Sequence, residues 1–504
     1  MCPAPITPAH SHAVDGPADP STADAPLYRL VADDIAGLIS QGTLAPGARI
    51  PSLRATSRRL KVSITTVMEA YRVLEDRGLV EVRPQSGHYV RLNIAAVPLE
   101  PTRTATCRQP AKLDNTALIE ILAEEASQSS LLVPFGAAVP AAEFLPIGRL
   151  NTLLSRAVRR EPIACQSYDT VPGRPELRHE IARLALAAGC NLTAEELLIT
   201  TGAQEAVSLA LRAVTKPGDT VAIETPTYHG FLQVLESLHL KALEVATCPR
   251  DGMCLDALAE ALEEERLAAV LLVSSFGNPL GHRMPDAERK RLARMLRDAE
   301  VPLIEDDTYG EIAHDGPRPL SIQSFDCELA QGRARDSNVL LLSSFSKILA
   351  PGLRVGWIAP GRYRHEVISQ KIASTMATAT PTQLAIADYL AGGGMERHLR
   401  RLRRSFKDLL TRMIPEIGAH FPAGTRVTRP TGGYLLWVEM PEDVDAFALH
   451  RAALAEGISV VPGPLLSASG RYRNCLRINC AVPWSDTVAQ ALRRLGELAH
   501  EARS

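Results

Sequence analysis

The sequence lacks several features that would settle its class at once. Its 9 cysteines include no Cys-x-x-Cys pair. The nearest pairs, Cys248 with Cys254 and Cys475 with Cys480, have no zinc-type partner pattern, so no structural metal is expected. The plain expectation is reduced thiols in a cytoplasmic protein. No apolar run is long enough to cross a bilayer, so no membrane-spanning helix is expected. The opening Met1-Cys-Pro-Ala-Pro has no basic region followed by an apolar core, so no signal peptide is expected. Charge of one sign is missing as well: the formal net charge is −2. The chain is therefore no polyelectrolyte, and contact with nucleic acid has to come from a local patch. No repeat of solenoid period is visible.

What is present is ordinary globular material in more than one piece. A chain of 504 residues, 46% hydrophobic and 22% charged, exceeds one core and predicts two or more domains. Residues 1–25 are rich in Pro, Ala, Asp and Ser without periodicity, as a disordered tail would be. Residues 26–92 read as a small module, and 93–130, with Pro98, Pro101 and Pro110, as a linker with a short helix at 116–126. Residues 131–504 form the body, divided into a large part at about 165–375 and a small part at about 376–504.

In the module, Leu27, Leu30, Val31, Ile35, Leu38 and Ile39 share one helical face. Gly42 and Pro46-Gly47 end that helix. Ser52 and Ser63 stand where N-caps of a second and third helix belong. The third helix has the apolar stripe Val67, Ala70, Tyr71, Leu74 and an opposite face with Thr65, Thr66, Glu69 and Arg72. Two short strands follow about the turn Pro84-Gln85-Ser86-Gly87. Three helices and a β-wing predict an α+β winged helix-turn-helix, whose third helix enters the major groove of double-stranded DNA. Over Leu27 to Val90 nine basic residues face six acidic ones, a local +3 concentrated at Arg49 to Lys61, where phosphate contacts are useful. The expected DNA contacts are Arg49, Arg54, Ser63, Thr65 and Thr66, with Gln85, Ser86, Gly87 and His88 in the wing. The segments Pro51-Ser-Leu-Arg54, Leu60-Lys-Val-Ser63, Thr65-Thr-Val67, Leu74-Glu-Asp-Arg-Gly78 and Gly87-His-Tyr-Val90 resemble the GntR-type winged helix. Members of that family often carry arginine where this chain has Ile64 and Met68, and threonine where it has His88. Apolar residues touch a thymine methyl but make no bidentate bond to guanine.

The body alternates strand-like runs with helical stretches, which predicts a mainly parallel sheet with helices on its faces. Chemistry is then expected at the carboxyl ends of the strands. One run, Val339 to Leu342, leads into Ser343-Ser344-Phe-Ser346-Lys347 and a Pro-Gly turn before Arg354. A lysine that closes a buried strand can shed its charge and attack an aldehyde. Ser344, Ser346 and Arg354 offer hydroxyls and a guanidinium to a phosphate. Together they point to pyridoxal phosphate. Other strand ends carry Ala203-Gln204 opening a helix, a natural anion site; Tyr228, placed to stack on a ring; Asn278 and Tyr309, placed for a phenolate oxygen; and Asp306, a carboxylate that a pyridinium nitrogen would match. Arg477, between apolar residues of a strand, suits a substrate carboxylate. Each signal alone has a bland reading in a turn, a packed tyrosine or a salt bridge. Their order does not.

The set resembles the fold-type I pyridoxal-phosphate aminotransferases: an α/β domain with a mainly parallel sheet and a smaller C-terminal α+β domain. That resemblance implies pyridoxal 5′-phosphate as cofactor, with Lys347 forming its internal aldimine, and Asp306 on the ring nitrogen. It implies Asn278 and Tyr309 on the ring oxygen and Tyr228 stacked on the ring. It also implies Ala203, Gln204, Ser344, Ser346 and Arg354 on the phosphate, and Arg477 on the substrate carboxylate. Tyr168 matches a tyrosine that reaches the neighbouring subunit's phosphate, which implies a homodimer. A GntR-type winged helix joined to such a body resembles the MocR-type regulators. The layout implies a DNA-binding transcription regulator that senses an amino acid or amine through Lys347. The alternatives are a working aminotransferase with a vestigial module and a sensor of the cofactor itself.

Overall fold

In the computed structural model the chain divides into two compact units, residues 1–94 and 95–504. The structure describes residues 26–40, 43–44, 48–76, 79–83, 87–90, 97–107, 109–114, 116, 119–121 and 132–503. The tail 1–25, Gly42, Pro46-Gly47 and the wing turn 84–86 lie outside these residues, as does most of the helix expected at 116–126.

Among its described residues the first unit has three helices, α1 (Leu27–Ser40), α2 (Leu53–Leu60) and α3 (Ile64–Asp76), then strands β1 (Val80–Arg83) and β2 (Gly87–Val90). The strands pair antiparallel, with Val80 opposite Val90 and Arg83 opposite Gly87. Ser52 caps α2 by accepting from the Ala55 amide at 3.3 Å. Ser63 accepts from the Thr66 amide at 3.0 Å, satisfying a free donor at the start of α3. The expected stripe of α3 is the buried one: Val67, Ala70, Tyr71 and Leu74 pack with Val31, Ala32, Ile35 and Ile39 of α1. Leu27 and Leu30 depart from the expected face and are 54% and 46% exposed. They sit at the edge of the arc centred on Ile35, and Ala32 closes the core in their place. Tyr71 ties the unit together, its hydroxyl lying 2.7 Å from Thr56 Oγ1 and donating to the Pro51 carbonyl at 2.6 Å.

The second unit contains β3 (Val133–Pro134), β4 (Leu198–Thr200), β5 (Thr220–Thr225), β6 (Lys241–Cys248), β7 (Gly252–Met253) and β8 (Leu267–Val273). It continues with β9 (Leu303–Asp306), β10 (Val339–Ser344) and β11 (Gly356–Ala359). Strands β4 to β11 form one sheet in the order β4-β11-β10-β9-β8-β5-β6-β7. The central neighbours β10/β9, β9/β8, β8/β5 and β5/β6 are parallel, while β11 runs antiparallel to both its neighbours. Both faces are covered, and β5 is buried along its whole length. Such strands read as unbroken apolar runs rather than alternating ones.

The small part carries a second sheet of β12 (Arg426–Val427), β13 (Leu435–Glu439), β15 (Val461–Pro462) and β16 (Cys475–Asn479), in the order β12-β13-β16-β15. Strand β14 (Ile458–Ser459) pairs with β3, which brings the chain at 133–139 beside the small part. The long helix Met395–His420 precedes this sheet. In the stretch read as a linker, Leu99 bridges to Arg426 and Ala111 to Ala242, and the Thr104 amide donates to the Thr247 carbonyl at 3.1 Å. Its described residues therefore lie along the second unit.

Candidate functional site

The carboxyl ends of β4, β5, β8, β9 and β10 converge on one cavity. Ala203, Gln204, Tyr228, Asn278, Asp306, Tyr309, Ser344, Ser346, Lys347 and Arg354 all line it, with Val207, Phe231, Val273 and Thr308. Sequence reasoning named ten of these residues from stretches scattered along the chain, and the fold brings all ten together. Among the described residues, no group of three or more His, Cys, Asp or Glu is placed to hold a metal.

Lys347 ends the strand–loop transition after β10 and donates through Nζ to the Ala138 carbonyl at 2.7 Å. Desolvation lowers its pKa to about 8, the nearby Arg477 adds to the fall, and Asp306 opposes it. A substantial fraction of this amine is therefore neutral near physiological pH, the form that acts as a nucleophile. Asp306 is 7% exposed at the tip of β9. Burial raises its carboxyl to about 6, against the hydrogen bond from the Thr308 amide at 2.8 Å. A buried carboxylate held this way calls for a cation above it.

One end of the cavity is built for an anion. Helix Ala203–Val214 begins at Gly202, whose φ of +81° suits glycine. A Cβ there would come within 2.5 Å of the Arg354 guanidinium. Arg354 donates to Ser346 Oγ at 3.4 Å and to the Thr201 carbonyl at 3.3 Å. Backbone amides of a helix start, two serine hydroxyls and an arginine are donors of the kind a phosphate requires. Asn278 Oδ1 and Thr308 Oγ1 are buried in the cavity wall without a hydrogen-bond partner. The donor set, the uncompensated carboxylate and these orphaned atoms together fit pyridoxal phosphate.

Arg477, in β16, is 1% exposed and donates to the Gly136 carbonyl. Its charge bears on Tyr228, His229, Tyr309 and Lys347, which places it beside the cavity. Tyr168 is different: it is 88% exposed and does not line the cavity of its own chain.

Sequence reasoning missed three side chains and a strap. Thr308 fixes Asp306 through a local turn two residues on, a signal that was available. His229, following Tyr228, has its pKa lowered to about 3 by burial, then by Arg477 and Lys347, so it is a neutral imidazole. Tyr434 packs edge-on to Tyr309 at 5.7 Å between ring centres and donates to the Ala138 carbonyl at 3.1 Å. The strap 136–139 receives Arg477 at Gly136, Lys347 and Tyr434 at Ala138, and Asn479 at Val139.

In the first unit, Arg49, Arg54, Ser63 and Thr65 are exposed, and Thr66 is half-buried. The Ser63 hydroxyl is engaged by the α3 cap and by Thr66 Oγ1 at 2.7 Å. Arg49 pairs with Tyr89 of the wing, and its guanidinium lies against Gly87, where φ is +109°. His88 turns toward α3, with Nε2 3.0 Å from Glu75 Oε1. Gln85 and Ser86 lie outside the described residues.

Residues 152–495 match the family described as aminotransferase class I and II, and residues 27–90 the bacterial regulatory proteins of the gntR family. The chain is 39% identical over 475 residues to the uncharacterized HTH-type transcriptional regulator YjiR of Escherichia coli, covering 94% of this chain and 99% of that one. It is 32% identical over 368 residues to the 2-aminoadipate transaminase of Thermus thermophilus, covering 72% and 89%. Among solved structures, LysN, the alpha-aminoadipate aminotransferase of Thermus thermophilus complexed with N-(5′-phosphopyridoxyl)-L-leucine, matches with a TM-score of 0.70. The identity is 30%, over 78% of this chain and 96% of LysN. The chain thus belongs to the class I and II aminotransferase family, whose members use pyridoxal phosphate, and its gntR-type winged helix makes it a transcription regulator of the MocR type.

Proposed function

We propose that this regulator binds pyridoxal 5′-phosphate in the cavity at Lys347 and uses it to register an amino acid or amine, which changes the affinity of the winged helix for a promoter site. The observation that carries the reading is the convergence of Lys347, Asp306 and Arg354 on one cavity, with Arg477 near enough to bear on Lys347, in a chain that also carries a gntR-type module. Bound there, the cofactor supplies a reactive carbonyl carbon and an electron-withdrawing ring. The chain's residues do the rest. Asp306 holds a proton on the ring nitrogen. Ala203, Gln204, Ser344, Ser346 and Arg354 grip the phosphate, and Tyr228 covers the ring. Asn278 and Tyr309 take the ring oxygen. Lys347, neutral in part, would hold the cofactor's carbonyl carbon and carry a proton there, and Arg477 would orient a carboxylate when the effector has one. Tyr168, exposed in its own chain, serves the partner's phosphate in a homodimer.

Titration of one labelled promoter duplex at fixed salt tests this. The protein is compared without cofactor, with it, and with it plus a panel of amino acids and amines. At least one amino compound is expected to shift the affinity about fivefold or more, about 1 kcal/mol of coupling. Equal affinity in all three states sinks the proposal.

A second reading, slow or efficient transamination, draws on the same residues and on likeness to the Thermus thermophilus transaminase. Turnover with an amino donor and a 2-oxo acid supports it. Failure of the half-reaction with every amino acid tried removes it.

A further inference from the structure

The first two turns of α3, Ile64 to Tyr71, contain no lysine or arginine. Its buried stripe is accounted for by the core. What remains exposed is Thr65, Glu69, Arg72 and, unusually, Ile64 and Met68, which are 49% and 52% exposed. Ile64 and Met68 are four residues apart, so they stand one above the other on the same face, with Arg72 one turn further along. The same unit exposes cations on the preceding helix: Arg54, Arg58, Arg59 and Lys61 of α2 and its end. An apolar spot on a helix-turn-helix that also exposes these cations matches the major groove, where phosphates flank base edges.

We infer that Ile64 and Met68 read the 5-methyl groups of thymine, so that the half-site of this regulator is specified by thymines rather than by guanine. This rests on the DNA-binding reading and gives it a base chemistry. The leading turns have no guanidinium for the N7 and O6 acceptors of guanine, and Glu69 on the same face repels those acceptors. The one apolar feature of a major-groove base edge is the thymine methyl. Arg72 and the cations of α2 hold the flanking phosphates without reading sequence.

Duplexes enriched from a random library by the full-length protein at fixed salt supply the probe. Each is remade with deoxyuridine for thymine, which removes the methyl and nothing else. Affinity is expected to fall about fourfold for each contacted methyl, the worth of one buried CH₂-sized group, with an unchanged salt slope. Ile64→Ala and Met68→Ala are expected to weaken binding to the thymine duplex and to narrow its difference from the uracil duplex. Both side chains are half exposed, so the core is kept, and the deoxyuridine arm leaves the protein untouched. Enriched duplexes bound equally well with uracil overturn this inference alone. A library yielding nothing bound better than scrambled DNA overturns DNA recognition, and the inference with it. Unchanged DNA affinity with altered self-association in Met68→Ala assigns the face to a protein contact and overturns it too.

Discussion

At Asp306 the chain buries a carboxyl that is lifted to about 6. An aspartate in the unfolded chain titrates near 3.9 (about that value in model peptides). Folding therefore favours the protonated form, and the stability gained by it is present below about pH 4 and lost as pH rises through about 6. Above that, the cofactor-free protein carries an uncompensated charge which a pyridinium nitrogen would relieve. Asp306→Asn keeps an acceptor for the Thr308 amide. It is expected to raise the melting temperature of cofactor-free protein at about pH 7.5 by on the order of 2 °C, with the gain shrinking at about pH 5, while cofactor retention on dialysis drops. Melting curves at the two pH values check the sign, and a lower melting temperature at the higher pH contradicts it. Arg477 gives a residue-level test of the effector. Arg477→Gln is expected to weaken carboxylate-bearing amino compounds about 10- to 100-fold, the worth of hydrogen bonds to a charged group, and to affect simple amines far less, only through the rise it allows in the Lys347 pKa. Absorbance titrations of the cofactor-loaded protein separate the two classes.

Among the elements, β9 and β10 show why so much of the site was legible. In a parallel sheet the strands are continuous apolar runs and the loops at their carboxyl ends carry the chemistry. A lysine, aspartate or asparagine just after such a run is therefore visible from sequence alone. Tyr434 was not, because its approach to Tyr309 depends on the small part's sheet docking against the large one, and nothing local encodes that. The strap 136–139 was hidden for another reason: it works through backbone carbonyls, which have no residue signature. In the first unit the caps and the α3 stripe were legible because both are local patterns. The burial of α1 was misjudged at Leu27 and Leu30, where packing against α3 chose the Ile35 side of the helix. Tyr71 joins α3 to α2 through Thr56 and Pro51. Tyr71→Phe strands the buried Thr56 hydroxyl, which is expected to lower the local opening free energy of α3 by about 1–2 kcal/mol. Hydrogen exchange of the Val67 to Leu74 amides measures it; unchanged protection contradicts the account of how the unit is tied.

The molecule joins a gntR-type winged helix to an aminotransferase-type body, and the proposed function requires that the two share free energy. The architecture was readable because two local signatures, a capped helix trio with a wing and a lysine-centred strand end, occur in one chain. The path between them was not, since coupling depends on the populations of states that no motif records. Coupling is reciprocal by thermodynamic necessity: whatever factor an amino compound imposes on DNA affinity, DNA must impose on the affinity for that compound. The most direct measurement is the binding of the active amino compound to cofactor-loaded, full-length protein, with and without a saturating amount of its duplex, at one salt concentration. The expected shift equals the one seen in the DNA titration and is lost in Lys347→Ala. The same effector affinity with and without DNA would show a pocket and a DNA reader that are joined but not linked.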